Sequence, residues 1–292
     1  MYQKEEVQCI LCQSGETEVF NESATESVHN RNVICKRCGL IFISPRLREE
    51  DYLRYYEHGD YVKDHYGLKT EQDVDEVIRW RGRRAKEKIS CFPDLFSSGK
   101  DVLEIGAGTG VFLNELATRF GSRVFGIEPS RQFADIARKR FGLEIYEGTL
   151  RSYNEEYGTR RLFNLIVMDQ VLEHLYDPLD ALTKVRSLLQ KDGFVYIGVP
   201  NIANPKHPRD EFFIGPHIYT FNPWTIMLLL WRVGLKIVRL QAPEASPMYL
   251  MATPLENSVP MFPLKDIPGP FSAAELARRI DDFGKQTYTG AS

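Results

Sequence analysis

The sequence predicts an α/β chain: a doubly wound, mostly parallel sheet of seven strands, preceded by a small cysteine-rich module. Three observations carry this prediction. Val102 to Gly110 reads VLEIGAGTG, an apolar strand that runs into an acid, Glu104, and then into glycines at 106, 108 and 110. Apolar strand-like runs then alternate with amphipathic helical runs as far as residue 254, the pattern of a parallel sheet covered on both faces. Finally, four of the five cysteines stand in two C-x-x-C pairs, Cys9 with Cys12 and Cys35 with Cys38.

The chain of 292 residues has room for one large domain and a small one. The expected boundaries are a cysteine module over 1–48, a helical, tyrosine-rich linker and lid over 49–98, the main domain over 99–254, and a tail with a helix over 255–292. A formal charge of −3 gives no global attraction for nucleic acid or anionic membrane. The one dense basic run, Arg79, Arg81, Arg83, Arg84, Lys86 and Lys88, reads as a solvated helix face. The longest apolar run, Ile226 to Trp231, falls far short of the roughly 20 residues that span a bilayer. The opening MYQKEEVQC lacks the apolar core of a secretion signal. The chain therefore reads as cytoplasmic, with no membrane partner.

In a reducing compartment, two C-x-x-C knuckles read as a tetrahedral four-cysteine zinc site rather than as disulfides. Cys9, Cys12, Cys35 and Cys38 are the predicted ligands. Four thiolates close the coordination shell, so the ion would be structural, since catalytic zinc keeps a position open. A ribbon this small buries too little apolar surface to fold unaided, and metal binding supplies the missing free energy. Leu40 to Pro45, LIFISP, completes the ribbon as a strand. The next stretch carries five tyrosines between Asp51 and Gly67, either a lid or a packing layer. Thr70 to Ile89 has helical composition.

In the main domain, the glycine turn opens a helix, Val111 to Phe120, with Phe112, Leu113, Leu116 and Phe120 on one face. RVFGIE is the second strand and ends at Glu128, an acid about 20 residues past the glycines and placed to accept both ribose hydroxyls of a nucleotide. A helix from Ser130 to Gly142, a third strand LEIYEG, and a continuously apolar fourth strand LFNLIVMD ending at Asp169 follow. Asp177-Pro178 caps the next helix, which is expected to end at a turn at Asp192-Gly193 before the fifth strand, FVYIGVP. A capped helix from Asn222-Pro223 leads to LKIVRL, with MYLMAT returning as its antiparallel partner. The turn is not the dinucleotide fingerprint, because position 111, where G-x-G-x-x-G needs glycine, is Val111.

VLEIGAGTG, GIEPS, YEGTL, QVLEHLYDP, LLQKDGFVYIGVPN and HIYTF together resemble, in order, class I S-adenosylmethionine (SAM) methyltransferases, whose sheet is Rossmann-like. CKRCG running into an apolar strand and Pro45 looks like the zinc ribbon of methyltransferases from sugar and polysaccharide gene clusters. The resemblance covers residues 9 to 252. It implies that Glu104 holds the methionine end of SAM, with Gly106, Ala107, Gly108 and Gly110 along methionine and ribose. Glu128 would take the ribose diol, with Pro129 shaping the turn. Thr149 and Leu150 would border adenine, and Asp169 and Gln170 would flank the sulfonium. Position 149 holds threonine where the family often has aspartate.

Methyl transfer to oxygen or carbon usually requires a base, and histidine is the natural candidate near neutral pH. His174 follows the fourth strand and His217 lies on the loop after the fifth; these are the candidate catalytic residues, with Tyr219 and the upstream tyrosines as further options. The expected acceptor is a small molecule, a sugar or nucleotide-linked sugar, with oxygen favoured over carbon or nitrogen. Two rivals stand beside it: an RNA methyltransferase, against which the net negative charge argues, and a SAM-binding scaffold without turnover. The tail helix, opened by a Ser272–Glu275 capping box, could dock on the main domain or on a second copy of the chain, so a homo-oligomer is compatible with the sequence.

Overall fold

The computed structural model describes residues 3–24, 29–57, 70–213, 217–241, 246–261 and 269–289. Seven strands form one sheet in the order Leu235–Gln241, Met248–Pro254, Leu189–Val199, Phe163–Asp169, Asp101–Ile105, Arg123–Glu128 and Ile145–Glu147. The chain divides into two compact units. One comprises Met1–Arg48, Gln170–Leu182 and Ile197–Ser292, the other Glu49–Asp169 and Thr183–Tyr196.

In the first unit, strands β1 (Lys4–Glu5), β2 (Thr17–Ala24), β3 (His29–Cys35), β4 (Ile41–Ile43) and β5 (Arg46–Leu47) build the cysteine module. β1 pairs with β5, while β2, β3 and β4 form an antiparallel sheet. Leu40, Ile41, Phe42 and Ile43 are all buried, as expected for the strand that completes a ribbon.

In the second unit, α1 (Glu49–Glu57) carries the buried Tyr52. The other tyrosines expected to form a lid, Tyr55, Tyr56, Tyr61 and Tyr66, have side chains outside the described residues. Helix α2 (Glu71–Cys91) starts at a Thr70–Asp73 capping box, which satisfies two backbone amides that a helix N-terminus leaves unpaired. β6 (Asp101–Ile105), α3 (Val111–Phe120), β7 (Arg123–Glu128), α4 (Arg131–Phe141), β8 (Ile145–Glu147), α5 (Leu150–Tyr157) and β9 (Phe163–Asp169) follow in alternation. β6, β7, β8 and β9 pair in parallel, and Leu165 to Met168 of β9 are wholly buried. The predicted apolar face of α3 buries Phe112, Leu113 and Leu116, whereas Phe120 is half-buried at the helix end.

Helix α6 (Pro178–Leu188) stops earlier than expected, and β10 (Leu189–Val199) begins at once. The strand runs straight through Asp192-Gly193 instead of turning there. Gly193 suits this path because a Cβ would lie 2.9 Å from the Gln190 carbonyl oxygen and 3.0 Å from that of Phe163.

The first unit resumes with a short helix, α7 (Arg209–Phe212), then β11 (Tyr219–Thr220) and α8 (Pro223–Arg232) with its Asn222–Thr225 capping box. β12 (Leu235–Gln241) and β13 (Met248–Pro254) form the predicted antiparallel pair. The tail helix α9 (Ala273–Thr289) docks within this unit. Leu276 and Ile280 join Ile34 and Ile41 of the cysteine module, Ile202, Phe212 and Phe213 in one apolar cluster. Arg209 pairs with Asp281 at 2.8 Å beside it.

Candidate functional site

The glycine turn joins β6 to α3 with all three glycines at positive φ, 70°, 54° and 75° for Gly106, Gly108 and Gly110. Two of them also answer to space. A Cβ at Gly110 would come within 2.6 Å of Leu143 and 2.8 Å of Ala137, and one at Gly108 within 2.0 Å of the Arg81 guanidinium. The Gly106 and Ala107 amides donate to the Ile127 carbonyl at 2.8 and 3.1 Å, tying the turn to β7.

At the end of β7, Glu128 is buried, and its two carboxylate oxygens accept from the Gly108 amide at 2.7 Å and the Ser130 amide at 2.8 Å. Burial raises its pKa, against which the two backbone hydrogen bonds and Arg81 pull. Each oxygen keeps a second lone pair, so a fixed carboxylate can still accept hydroxyl hydrogens. The next strand ends alongside: the Gly148 amide donates to the Glu128 carbonyl at 3.1 Å. Thr149 then caps α5, its hydroxyl accepting from the Ser152 amide. Thr149 and aspartate share this capping ability, a local reason for threonine at this position. Leu150 is buried and Pro129 half-buried.

Asp169 ends β9, and Glu104 is the last residue but one of the neighbouring strand β6. Glu104 is buried, and desolvation pushes its carboxyl up to about 8, with Lys88 pulling down and Asp169 pushing up. Lys88, also buried, reaches from α2 to within 2.5 Å of Asp169 Oδ2 and lies 5.0 Å from the Phe112 ring centre. Arg81, two turns earlier on the same face of α2, stacks over Phe133 at 5.2 Å. Among the described residues, the buried atoms Glu104 Oε2, Thr109 Oγ1 and Asp169 Oδ1 have no hydrogen-bond partner. Carboxylates and orphaned oxygens around a glycine turn suit a ligand that carries positive charge and hydroxyl groups, as SAM does. In the first unit, Gln170 adopts φ 55° while its amide donates to the Gly198 carbonyl at 2.8 Å.

Both candidate histidines lie in the first unit, brought together from a short 3₁₀ turn, Leu172–His174, and from the segment before β11. Their ring centres are 4.6 Å apart, edge to face. Glu173 is buried beneath them, and one ligating atom from each of the three residues falls within 4.8 Å of the others. Arg46 braces both approaches. Its guanidinium stacks on Tyr176 at 3.7 Å and donates to the Tyr176 carbonyl at 2.9 Å and to the Tyr219 hydroxyl at 3.1 Å. Burial pushes the Tyr219 hydroxyl up to about 12, so that candidate stays protonated at neutral pH and is a poor base.

The four paired cysteines meet as predicted. Cys9 Sγ lies 3.4 Å from Cys38 Sγ, and Cys12 Sγ 3.5 Å from Cys35 Sγ. All four sulfurs fall within 4.8 Å of one another, close to the roughly 3.8 Å edge of a tetrahedron with zinc–sulfur bonds of about 2.3 Å. The donor set therefore fits a zinc ion. β11 pairs with β4, Tyr219 opposite Phe42, and the Ile43 amide donates to the Ile218 carbonyl at 2.9 Å. The ribbon sheet thus takes its fourth strand from the segment that carries His217.

The structure adds residues that sequence reasoning passed over: Arg81 and Lys88, read as part of a solvated basic face, and Arg46. Their i, i+7 spacing puts Arg81 and Lys88 on one helix face, but Arg79 and Lys86 share that spacing, so the sequence carried no signal that singled them out.

A family model described as a methyltransferase domain matches residues 77–240, more than half of the chain. The sequence is 28% identical to the C-methyltransferase NovU of Streptomyces niveus over 208 residues, 70% of this chain and 46% of that protein. It is 34% identical to a ubiquinone biosynthesis O-methyltransferase of Ruegeria sp. (strain TM1040) over 113 residues, 37% of this chain and 44% of that protein. The chain spans about half the length of the curated relatives it matches. Among solved structures, the Burkholderia thailandensis 1,6-didemethyltoxoflavin-N1-methyltransferase is similar with a TM-score of 0.53 and 18% identity, over 81% of this chain and 100% of that one. CcbJ methyltransferase of Streptomyces caelestis gives 0.52 and 16%, over 68% and 98%. At these identities the structural likeness speaks to the fold alone.

Proposed function

Since the chain belongs to the methyltransferase domain family, we propose that it transfers a methyl group from SAM to a small-molecule acceptor, a sugar or nucleotide-linked sugar, with zinc held structurally by Cys9, Cys12, Cys35 and Cys38. The observation that carries the cofactor reading is Glu128, a buried carboxylate braced by the Gly108 and Ser130 amides with lone pairs left for a ribose diol. Pro129 shapes that turn, and Thr149 and Leu150 border the adenine. Glu104 with Gly106, Ala107, Gly108 and Gly110 takes the methionine end, and Asp169 and Gln170 flank the sulfonium.

When bound, the cofactor supplies a methyl carbon on a sulfonium leaving group for in-line displacement. The protein's share is positioning, which supplies much of such an acceleration, and removal of the acceptor's proton. His217 is the base in this reading: it takes the proton of the attacking hydroxyl as the new oxygen–carbon bond forms. His174, edge-on to it at 4.6 Å, fixes the ring. An enolisable carbon is the second reading, favoured by the longer stretch matched to a C-methyltransferase; the same base would remove the carbon-bound proton.

Calorimetric titration of SAM and S-adenosylhomocysteine into the zinc-loaded protein tests the cofactor half. Glu128→Ala should weaken binding about 10- to 100-fold, since hydrogen bonds to a charged partner contribute about 1.5–3 kcal/mol. Unchanged affinity would remove Glu128 from the ribose. Transfer of labelled methyl to a panel of nucleotide-linked sugars tests the acceptor half, and labelling of RNA instead would overturn it.

A further inference from the structure

Helix α2 aims two of its six clustered basic residues inward. Arg79, Arg83 and Lys86 are exposed and Arg84 is half-buried, but Lys88 is buried and Arg81 lies over the glycine turn. Their seven-residue spacing puts them on one face, two turns apart. Each meets one end of the carboxylate set. Arg81 stands where a Cβ on Gly108 would be and acts electrostatically on Glu128 and Glu104. Lys88 pairs with Asp169 and acts on Glu104. A cofactor that brings its own ammonium and sulfonium needs these same carboxylates.

We propose that Arg81 and Lys88 are internal stand-ins for the cofactor's positive charges: they neutralise the buried acids of the site between turnovers and are displaced when SAM binds. This rests on the cofactor reading above. Buried carboxylates without a counter-charge are costly, so the helix keeps the ligand-free site folded. The same cations compete with the ammonium of S-adenosylhomocysteine for Asp169, which speeds product release. The apparent affinity of such a site is the intrinsic affinity reduced by the fraction of time it is open.

The test is binding of S-adenosylhomocysteine and of 5′-methylthioadenosine, which lacks the amino-acid end, to wild type and Lys88→Met. If Lys88 holds the site nine-tenths of the time, Lys88→Met gains roughly tenfold for S-adenosylhomocysteine and nothing for 5′-methylthioadenosine. Loss of S-adenosylhomocysteine affinity would make Lys88 an anchor for the methionine carboxylate and overturn the proposal, as would equal affinities for the variant and wild type. Lys88→Met leaves Asp169 buried without its cation, so its melting temperature is read first. Where it does not fold, Lys88→Met with Asp169→Asn removes both charges, and the ratio of the two ligand affinities should then match that of Asp169→Asn alone; a further fall in S-adenosylhomocysteine affinity on adding Lys88→Met overturns the proposal. Failure of wild type to bind either ligand would instead strike the cofactor reading itself.

Discussion

Replacing Glu104 by glutamine should stabilise the protein near neutral pH and flatten its stability profile. Burial lifts the Glu104 carboxyl from 4.5 to about 8 in the folded protein. A carboxyl whose folded pKa is raised binds more protons folded than unfolded, so its contribution is fully present below pH 4.5 and is lost as pH rises through 8. Linkage over that window removes about 2–3 kcal/mol between pH 5 and pH 7, and roughly 5 kcal/mol in all, at 1.36 kcal/mol per unit. For a unit of this size, that corresponds to a melting temperature roughly 5–10 °C lower at pH 7 than at pH 5 from this group alone. Glutamine keeps the shape and does not titrate. Differential scanning calorimetry of both proteins at pH 5, 6, 7 and 8 isolates the effect, because other titrating groups cancel in the difference. Parallel profiles would refute the reasoning and mean that Lys88 keeps Glu104 ionised, the opposite balance of burial against charge.

His217→Ala should cut methyl transfer about 10²- to 10⁴-fold, the usual worth of a general base, while S-adenosylhomocysteine titration stays at the wild-type affinity; retained activity would remove His217 from the chemistry. Gly110→Ala forces a Cβ onto Leu143 and Ala137 at 2.6 and 2.8 Å with φ at +75°, and should cost about 1–3 kcal/mol in urea unfolding. Cys35→Ser should lower bound zinc, read by elemental analysis, and destabilise the ribbon, since metal binding there is coupled to folding; full zinc occupancy would dissolve the four-thiolate site.

The succession of strands and helices, the glycine turn and the paired cysteines were legible because each rests on local chemistry. Glycine takes the positive φ at 106, 108 and 110 with the least strain; an apolar run such as Leu165 to Met168 can only be interior; and C-x-x-C spacing brings two sulfurs to one point. What the sequence hid was decided by tertiary placement. Arg81 and Lys88 look no different from Arg79 and Lys86 until the rotation of α2 is known. The extension of β10 back to Leu189 follows from packing at Gly193, where the sequence pattern Asp-Gly favours a turn. The pairing of His174 with His217 joins segments more than 40 residues apart, and no periodicity announces it.

The least legible feature is also the one that explains why a cysteine ribbon precedes this domain. A structural zinc site on its own would only fold 40-odd residues. Here β4 gives its free edge to β11, so the backbone around Ile218 is hydrogen-bonded into the ribbon sheet, one residue from His217. Arg46, just past β4, then reaches Tyr176 and Tyr219, each two residues beyond one of the histidines. The ribbon therefore sets the positions of both histidine-bearing segments, while the carboxylates proposed for the cofactor, Glu104, Glu128 and Asp169, belong to the other unit. On the proposed roles the consequence is a separation of effects: loss of the four-cysteine site should disable methyl transfer while leaving cofactor affinity nearly intact. On this reasoning Cys35→Ser and His217→Ala share one phenotype, and a Cys35→Ser protein that lost S-adenosylhomocysteine binding as well would show that the ribbon serves the whole fold and not the acceptor side.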